Sequence, residues 1–361
     1  REIEAAEAIL DHSRVHAVLT DLCVSPFGGL EGTRLIRHMA THFPETQVVA
    51  MSSHSEAEVR RTVIHAGASE FMEKPVDPLR VAMEILRCNP SEGAARRGGV
   101  CTVEFLDEFL AARPVFAHLQ PIVNLQKASA PFELHGVEAL ARAPGDSILR
   151  NPEILFGYAS RKDRLFETDL LCIQAGLREA VALGGSSRIF LNVQPRSLSN
   201  PGFTCRVVGM VEAAGLQADR IVFELTEQET ILNPQAFART LAEVRRLGFR
   251  IALDDFGVGF ANLNLITDLL PEYVKISGYF ARNLATDPVK RMALGAVQGM
   301  LGRMGIPAIM ECVESEVEME IVRDLKIEFA QGYHFSKPAP ADDLIRSGRF
   351  TGLSVDEVAR P

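Results

Sequence analysis

The chain has 361 residues, 47% hydrophobic and 24% charged, the balance of a globular protein with enough apolar surface to build real cores. Its formal net charge of −9 argues against DNA or an anionic membrane surface as the main partner, and no run approaches the ~20 apolar residues that span a bilayer. Cys23, Cys88, Cys101, Cys172, Cys205 and Cys312 stand singly, with no CxxC pair and no signal-peptide pattern at the start. That suits a reducing cytoplasm and speaks against a disulfide framework or a thiolate zinc site.

Residues 1–87 alternate helical and buried-strand patterns. Glu2–Leu10 has a helical period, Val15–Thr20 is an apolar run ending at Asp21, and Gln47–Met51 is another ending at Ser52. Glu56–His65 is helical again, and Ser69–Met72 is a short strand before Lys74-Pro75. Asp21, Ser52 and Lys74 thus close three successive strands. A carboxylate, a hydroxyl and an ammonium on one sheet edge suit aspartyl phosphorylation, the carboxylate as nucleophile and the other two holding phosphoryl oxygens. Asp and Ser after strands are also the commonest turn residues, so the pattern alone is weak. The stretch resembles the response-regulator receiver domain, with Phe71 at that family's aromatic switch position. The resemblance implies Asp21 as phosphoacceptor, Ser52 and Lys74 as its helpers, and a sensor histidine kinase as partner. The family's first strand, with its acidic Mg²⁺-binding pair, does not occur in this stretch, and Pro26 and Gly29 spread the loop after Asp21. A protein starting at Arg1 would carry an incomplete, unphosphorylated receiver. In a longer chain, phosphorylation of Asp21 would control the second half of the molecule.

Asn89-Pro-Ser-Glu-Gly and Arg96-Arg-Gly-Gly lack periodicity and are rich in turn formers, so residues 88–100 read as a linker between a first domain (1–87) and a second (101–361). Val103–Ala112 opens the second domain as a helix. Further helices are expected at Phe203–Ala214, at Pro234–Arg246 between Asn233 as N-cap and Gly248, at Val289–Met304 behind Asp287-Pro288, and at Glu316–Leu325 behind Ser315. Between them lie apolar runs, each ending in a polar residue: Asn192, Glu224, Asp254 with Asp255, Lys275, Glu311 and Gln331. The intervals are 32, 30, 21, 36 and 20 residues, mostly a strand plus a returning helix. The fold class is α/β throughout. In a parallel β/α array all strands point the same way, so these residues converge on one face.

Four carboxylates, amide oxygens and an ammonium on one face describe a hard-metal site. Adjacent buried aspartates need a counter-charge, and oxygen ligands favour Mg²⁺ or Mn²⁺ over zinc. Taken alone, Asp254 and Asp255 are better read as a helix N-cap and a first-turn acid, and Lys275 could snorkel at the surface. The whole series reverses those odds. Glu138, in Gly136-Val-Glu-Ala-Leu140, lies at an apparent strand end and would complete the ligand set. Two close metals can clamp a phosphoryl displacement and supply hydroxide at neutral pH.

Gln120-Pro-Ile-Val, Glu138-Ala-Leu-Ala-Arg142, Asn192, Glu224-Leu-Thr-Glu227, Asp254-Asp-Phe-Gly-Val-Gly259, Lys275-Ile, Glu311-Cys-Val-Glu314 and Gln331-Gly-Tyr-His-Phe-Ser-Lys-Pro338 resemble, in order, the motifs of the EAL domain. That family comprises cyclic di-GMP phosphodiesterases. The resemblance, from about 101 to 350, implies a receiver-like doubly wound (βα) domain followed by a modified TIM (β/α)8 barrel that hydrolyses cyclic di-GMP to linear pGpG with two Mg²⁺ or Mn²⁺ ions. It implies Glu138, Asn192, Glu224 and Asp254 as ligands of one metal, and Asp254, Asp255 and Glu311 as ligands of the second. Lys275 would orient the attacking water and Gln331 help position it. Gln120, Leu140 and Arg142 would line the dinucleotide pocket, and Glu227 would anchor the loop coupling a homodimer to metal binding. Three positions depart from the family: Ser277 replaces an aspartate, Gln194 a serine, and Met310-Glu311-Cys312 stands where Ala-Glu-Gly is usual. Because every metal-ligand position is filled, an active enzyme is expected, its rate open to reduction by these departures; the alternative is a catalytically weak or inactive EAL domain acting as a cyclic di-GMP receptor or signalling adaptor. A protein-interaction scaffold is disfavoured because no ligand position is lost.

Overall fold

The computed structural model describes residues 3–22, 32–53, 57–77, 80–81, 105–127, 129–144, 148–226, 234–257 and 263–353. The linker expected at 88–100 lies outside them. Contacts divide the chain into two compact units, Arg1–Ala112 with Ala143–Arg164, and Arg113–Arg142 with Leu165–Pro361. Among the described residues no helix is long and apolar enough to cross a membrane.

The first unit contains a parallel sheet of β1 (Ala17–Asp21), β2 (Gln47–Ser52) and β3 (Glu70–Glu73), in that order. Its core joins Val48, Ala50 and Phe71 of the sheet to Ile36, Met39 and Val63 of the helices Gly32–His42 and Ala57–His65. Parallel strands end together, and this sheet brings Asp21, Ser52 and Lys74 to one edge: Lys74 Nζ pairs with the Asp21 carboxylate, and the Lys74 amide donates to the Ser52 carbonyl at 2.9 Å. In the same unit, helix Pro152–Arg161 packs on helix Ile3–His12. Gly157 leaves room there for His12 and Ala8, and Arg161 pairs with Glu7 and Asp11.

The second unit is a closed eight-stranded barrel. Its strands are β4 (Phe116–Asn124), β5 (Phe132–Arg142), β6 (Arg188–Asn192), β7 (Ile221–Thr226), β8 (Arg250–Phe256), β9 (Tyr273–Ile276), β10 (Ala308–Met310) and β11 (Phe329–Gln331). Neighbours from β5 through β6 to β11 are parallel, whereas β4 runs antiparallel to both β5 and β11 and closes the cylinder. A short β12 (Phe350–Thr351) pairs with the outer part of β5. The reversed strand is the difference from a regular parallel barrel.

Strand residues alternate inward and outward. Ile122, Phe190, Val222, Ala252, Tyr273, Ile309 and Phe329 form one buried apolar cluster, the plug of the barrel. Two residues further along the parallel strands stand Asn192, Glu224, Asp254, Lys275, Glu311 and Gln331. Gln120 joins this polar layer from the reversed β4, two residues before Ile122. Gly136 on β5 lets the Phe190 ring approach, since a Cβ there would lie 2.7 Å from it. The polar layer therefore rests on the packing of Phe190, which is fully buried. Phe190→Ala is expected to cost ~3–5 kcal/mol in urea unfolding of the metal-free protein. A loss below ~1 kcal/mol would show that the plug does not carry the barrel.

Candidate active site

The polar layer is organised around one ammonium. Lys275 Nζ lies 3.1 Å from Glu138 Oε2, 2.9 Å from Glu224 Oε1, 2.9 Å from Asp254 Oδ1 and 3.0 Å from Glu311 Oε1. Lys275 and Glu224 are wholly inaccessible to solvent, and Glu138 and Asp254 are buried. An ammonium has three protons and cannot aim at four acceptors. It donates to Glu138 at 3.1 Å, while both Glu224 oxygens and Asp254 Oδ1 are buried without a hydrogen-bond partner. Glu138 is the best satisfied of the four. Its carboxylate also accepts from Asn192 Nδ2 at 3.0 Å and from Gln331 Nε2 at 2.6 Å, and Gln331 in turn donates to Gln120 Oε1 at 2.9 Å. Gln120 Nε2 donates to the Ser336 carbonyl at 3.3 Å, so the chain of amides reaches the segment after β11.

These contacts explain the ionisation of the site. Burial pushes the Glu138 carboxyl up, but Lys275 and the hydrogen bonds from Gln331 and Asn192 outweigh it and hold that carboxyl below its ordinary value. Burial and the charge of Glu138 raise Glu224 well above the usual carboxylate range. Burial raises Asp254 as well, and lifts Glu311 to about 8 against the pull of Lys275. Lys275 is raised despite its burial, chiefly by Asp254, Glu138 and Glu224.

Two backbone devices shape the acids from β8 and β10. The ladder between β8 and β9 shifts register between Leu253 and Phe256, and within that bulge Asp255 takes a positive φ of 55°. Consecutive strand residues otherwise face opposite ways, and a bulge re-aims one of them. Asp255 is only half-buried, yet its charge acts on both Asp254 and Cys312. Glu311 stands one residue past β10, its amide donating to the Ile276 carbonyl at 3.1 Å, and Cys312 after it has φ 55°. Cys312 packs on Gly278, where a Cβ would meet its sulfur at 2.5 Å.

Among the described residues no group of three or more His, Cys, Asp or Glu is spaced as a ready metal cage; the ammonium holds that centre instead. The residues nevertheless fit hard cations. Four carboxylates against one ammonium leave a formal excess of three negative charges, and the unpartnered oxygens are the hard donors that Mg²⁺ or Mn²⁺ takes. The Asn192 amide nitrogen is committed to Glu138, which leaves its oxygen for a cation.

The other expected residues fall as follows. Glu138 is not at a strand end: β5 continues for four residues, so Leu140 and Arg142 share its face by the two-residue period. Both are half-buried, and Arg142 donates to its own neighbour's carbonyl, Ala141, at 2.9 Å. Glu227 lies outside the described residues. Ser277 is buried and caps the short helix Gly278–Ala281, accepting from the Tyr279 amide at 3.4 Å, so it brings no charge to the site. The Gln120–Gln331–Glu138 relay was not read from the sequence. The alternation of Gln120, Ile122 and Asn124 was its signal, obscured by Pro121.

Residues 104–338 match the EAL domain family. The chain belongs to that family. Residues 1–85 match the response regulator receiver domain, so the EAL domain carries a receiver at its N-terminal side. The chain is 32% identical over 152 residues to cyclic di-GMP phosphodiesterase PdeB of Shewanella oneidensis, covering 42% of this chain and 18% of PdeB. It is 26% identical over 233 residues to the probable cyclic di-GMP phosphodiesterase PdeG of Escherichia coli, covering 63% of this chain and 45% of PdeG. It thus spans less than half the length of either curated relative. Among solved structures, a standalone EAL protein from Vibrio cholerae O395 in its cyclic di-GMP bound form is 26% identical with a TM-score of 0.55, covering 63% of this chain and 93% of that one. The Klebsiella pneumoniae BlrP1 complex with calcium and cyclic di-GMP shares the fold at 24% identity and a TM-score of 0.57, covering 76% of this chain and 75% of that one.

The raised carboxyls fix how this EAL site responds to pH. The folded, metal-free state holds protons on Glu224, Glu311 and Asp254 more tightly than the unfolded chain, which releases them near pH 4.5 from the two glutamates and near pH 3.8 from the aspartate. Stability from these groups is complete below those values and is lost as pH rises toward about 8, where Glu311 ionises. The melting temperature in EDTA should therefore fall between pH 5 and 8, and the increase produced by Mn²⁺ should grow over the same interval. Scanning fluorimetry with and without Mn²⁺ checks this, and a flat pair of curves contradicts it.

Proposed function

We propose that the protein is a cyclic di-GMP phosphodiesterase that hydrolyses one phosphodiester to give linear pGpG and depends on two divalent ions, Mg²⁺ or Mn²⁺. The convergence of Glu138, Glu224, Asp254 and Glu311 on Lys275 in one layer of the barrel carries this reading. The names of PdeB and of the bound EAL structures agree with it, and manganese accompanies cyclic di-GMP in a second BlrP1 complex.

Glu138, Asn192, Glu224 and Asp254 would hold one ion, and Asp254, Asp255 and Glu311 the other. The ions would supply the positive charge that lets an anionic diester meet an anionic nucleophile. The chain's own residues do the rest. Lys275, fixed by the acids around it, orients the attacking water, and Gln331, tied to Glu138 and Gln120, limits where that water can sit. Arg142 offers a planar fork to a phosphate on the face of β5 that also carries Glu138 and Leu140. Gln120 and Leu140 line the dinucleotide pocket. The setting proposed is cytoplasmic, with a homodimer coupled through the segment containing Glu227 and a sensor histidine kinase acting on Asp21.

Incubation with cyclic di-GMP and Mn²⁺, with separation of products, tests the reading. pGpG should accumulate, and Glu138→Ala or Lys275→Ala should lower its rate by at least ~10²–10³-fold, the scale for losing a preorganised electrostatic group. Tight binding of cyclic di-GMP with no pGpG from the wild-type chain would replace the enzyme with a receptor. Ser277 is the residue that favours that second reading. Aspartate can also cap a helix, so Ser277→Asp should fold normally and lower the Mn²⁺ concentration for half-maximal rate by ~10-fold. An unchanged metal requirement would remove Ser277 from the account.

A further inference from the structure

The inward period of the strands has a third layer, beneath the apolar plug. Two residues before Phe190 stands Arg188, and two before Ala252 stands Arg250, at the starts of alternate strands β6 and β8. Alternate strands contribute to the same layer of such a barrel. His135 of β5 belongs there too: its ring stacks on Phe329 at 3.7 Å and meets Tyr273 edge-on at 5.4 Å.

This floor is basic and incompletely paired. Arg188 Nε donates to the Tyr273 hydroxyl and the guanidinium lies over the Tyr273 ring, 5.9 Å from its centre, while the two terminal nitrogens have no hydrogen bond or ion pair among the described residues. Arg250 is half-buried and has no hydrogen bond or ion pair among them. His135 Nε2 is buried and unpartnered. Burial and the two arginines lower the His135 imidazole to about 4, so it is neutral at physiological pH and adds no positive charge. A cavity of about 250 Å³ opens at this end, lined by Asn124, Glu133, His135, Ser186, Ser187 and Arg188 with Leu134 and Gly352; Arg250 stands outside this lining, and its charge reaches the cavity's His135. The lining's one carboxylate, Glu133, pairs with the exposed Lys127 Nζ at 2.6 Å.

We propose that the closed end of the EAL barrel, opposite the acidic mouth, is a binding site for a small tetrahedral oxyanion of the phosphate class. Arg188 would take two oxygens with its free fork, the serine hydroxyls and His135 would meet the others from different directions, and Arg250 would supply the second positive charge. A planar carboxylate fits this spread of donors less well than a tetrahedral group.

The test is calorimetric titration of the full chain with inorganic phosphate in EDTA, where the acidic mouth repels anions. Sulfate, acetate and chloride at matched ionic strength run alongside. Saturable binding of phosphate and sulfate, weakened at least tenfold by both Arg188→Gln and Arg250→Gln, is the expected result. Arg250 has no partner to lose, so Arg250→Gln keeps the test decisive should Arg188→Gln fold poorly. No saturable binding, equal affinity in Arg250→Gln, or a preference for acetate would each overturn the proposal.

Discussion

The barrel is governed by an imbalance of charge. One ammonium stands among four largely buried carboxylates, and its three protons cannot satisfy them. Such an arrangement has no apolar substitute that would keep its chemistry. It is tolerable only with protons on some of the acids or cations among them. The raised Glu224, Asp254 and Glu311 show the first solution, and the bare oxygens of Glu224 and Asp254 show where the second would act. The same excess of negative charge that destabilises the empty site is what gives it affinity for a divalent ion.

The imbalance can be built because the strands have a period of two. Each contributes an apolar residue to the plug and, two positions on, a polar one to the mouth: Phe190 and Asn192, Val222 and Glu224, Ala252 and Asp254, Tyr273 and Lys275. The plug is what keeps water from reaching the acids from below, and so sets how strongly burial acts on them. Reversing β4 does not disturb the layers, since alternation does not depend on strand direction. It does let Gln120 approach Gln331 from a neighbouring antiparallel strand and extend the hydrogen-bond chain away from Glu138.

Elements marked by local chemistry were legible in the sequence. Helix Pro234–Arg246 and strands Arg188–Asn192 and Phe329–Gln331 have the boundaries that periodicity predicts, and Ser315 forms the expected cap, with Glu318 completing a capping box. Helix Leu165–Leu183 was not read because it buries residues all round, including Thr168, Asp169 and Gly176, so its hydrophobic period is blurred. The reversed direction of β4 is a property of tertiary pairing and leaves no mark on Gln120-Pro-Ile-Val. For the site, the strand-end series pointed to residues that the structure brings into one layer, because parallel strands share an end. It could not show that they meet on Lys275, nor that β5 runs four residues past Glu138. Both depend on the stagger of the strands in the closed barrel, which spacing along the chain does not encode.

The receiver edge and the EAL mouth use the same two groups in different proportions, and the proportion decides what each can hold. At the receiver edge one ammonium, Lys74, faces one carboxylate, Asp21, and each side chain is 35% exposed. That pair is balanced and solvated. Its carboxylate stands next to a cation positioned to share the charge of an incoming phosphoryl group. In the EAL mouth the ratio is one to four and Lys275 itself is buried, so its ammonium is surrounded by acids. Lys275 is therefore poorly placed to act as the main phosphate receptor, the role expected of Lys74. Its positive charge is spent on holding the acids in register, and any further positive charge at the mouth has to come from bound ions.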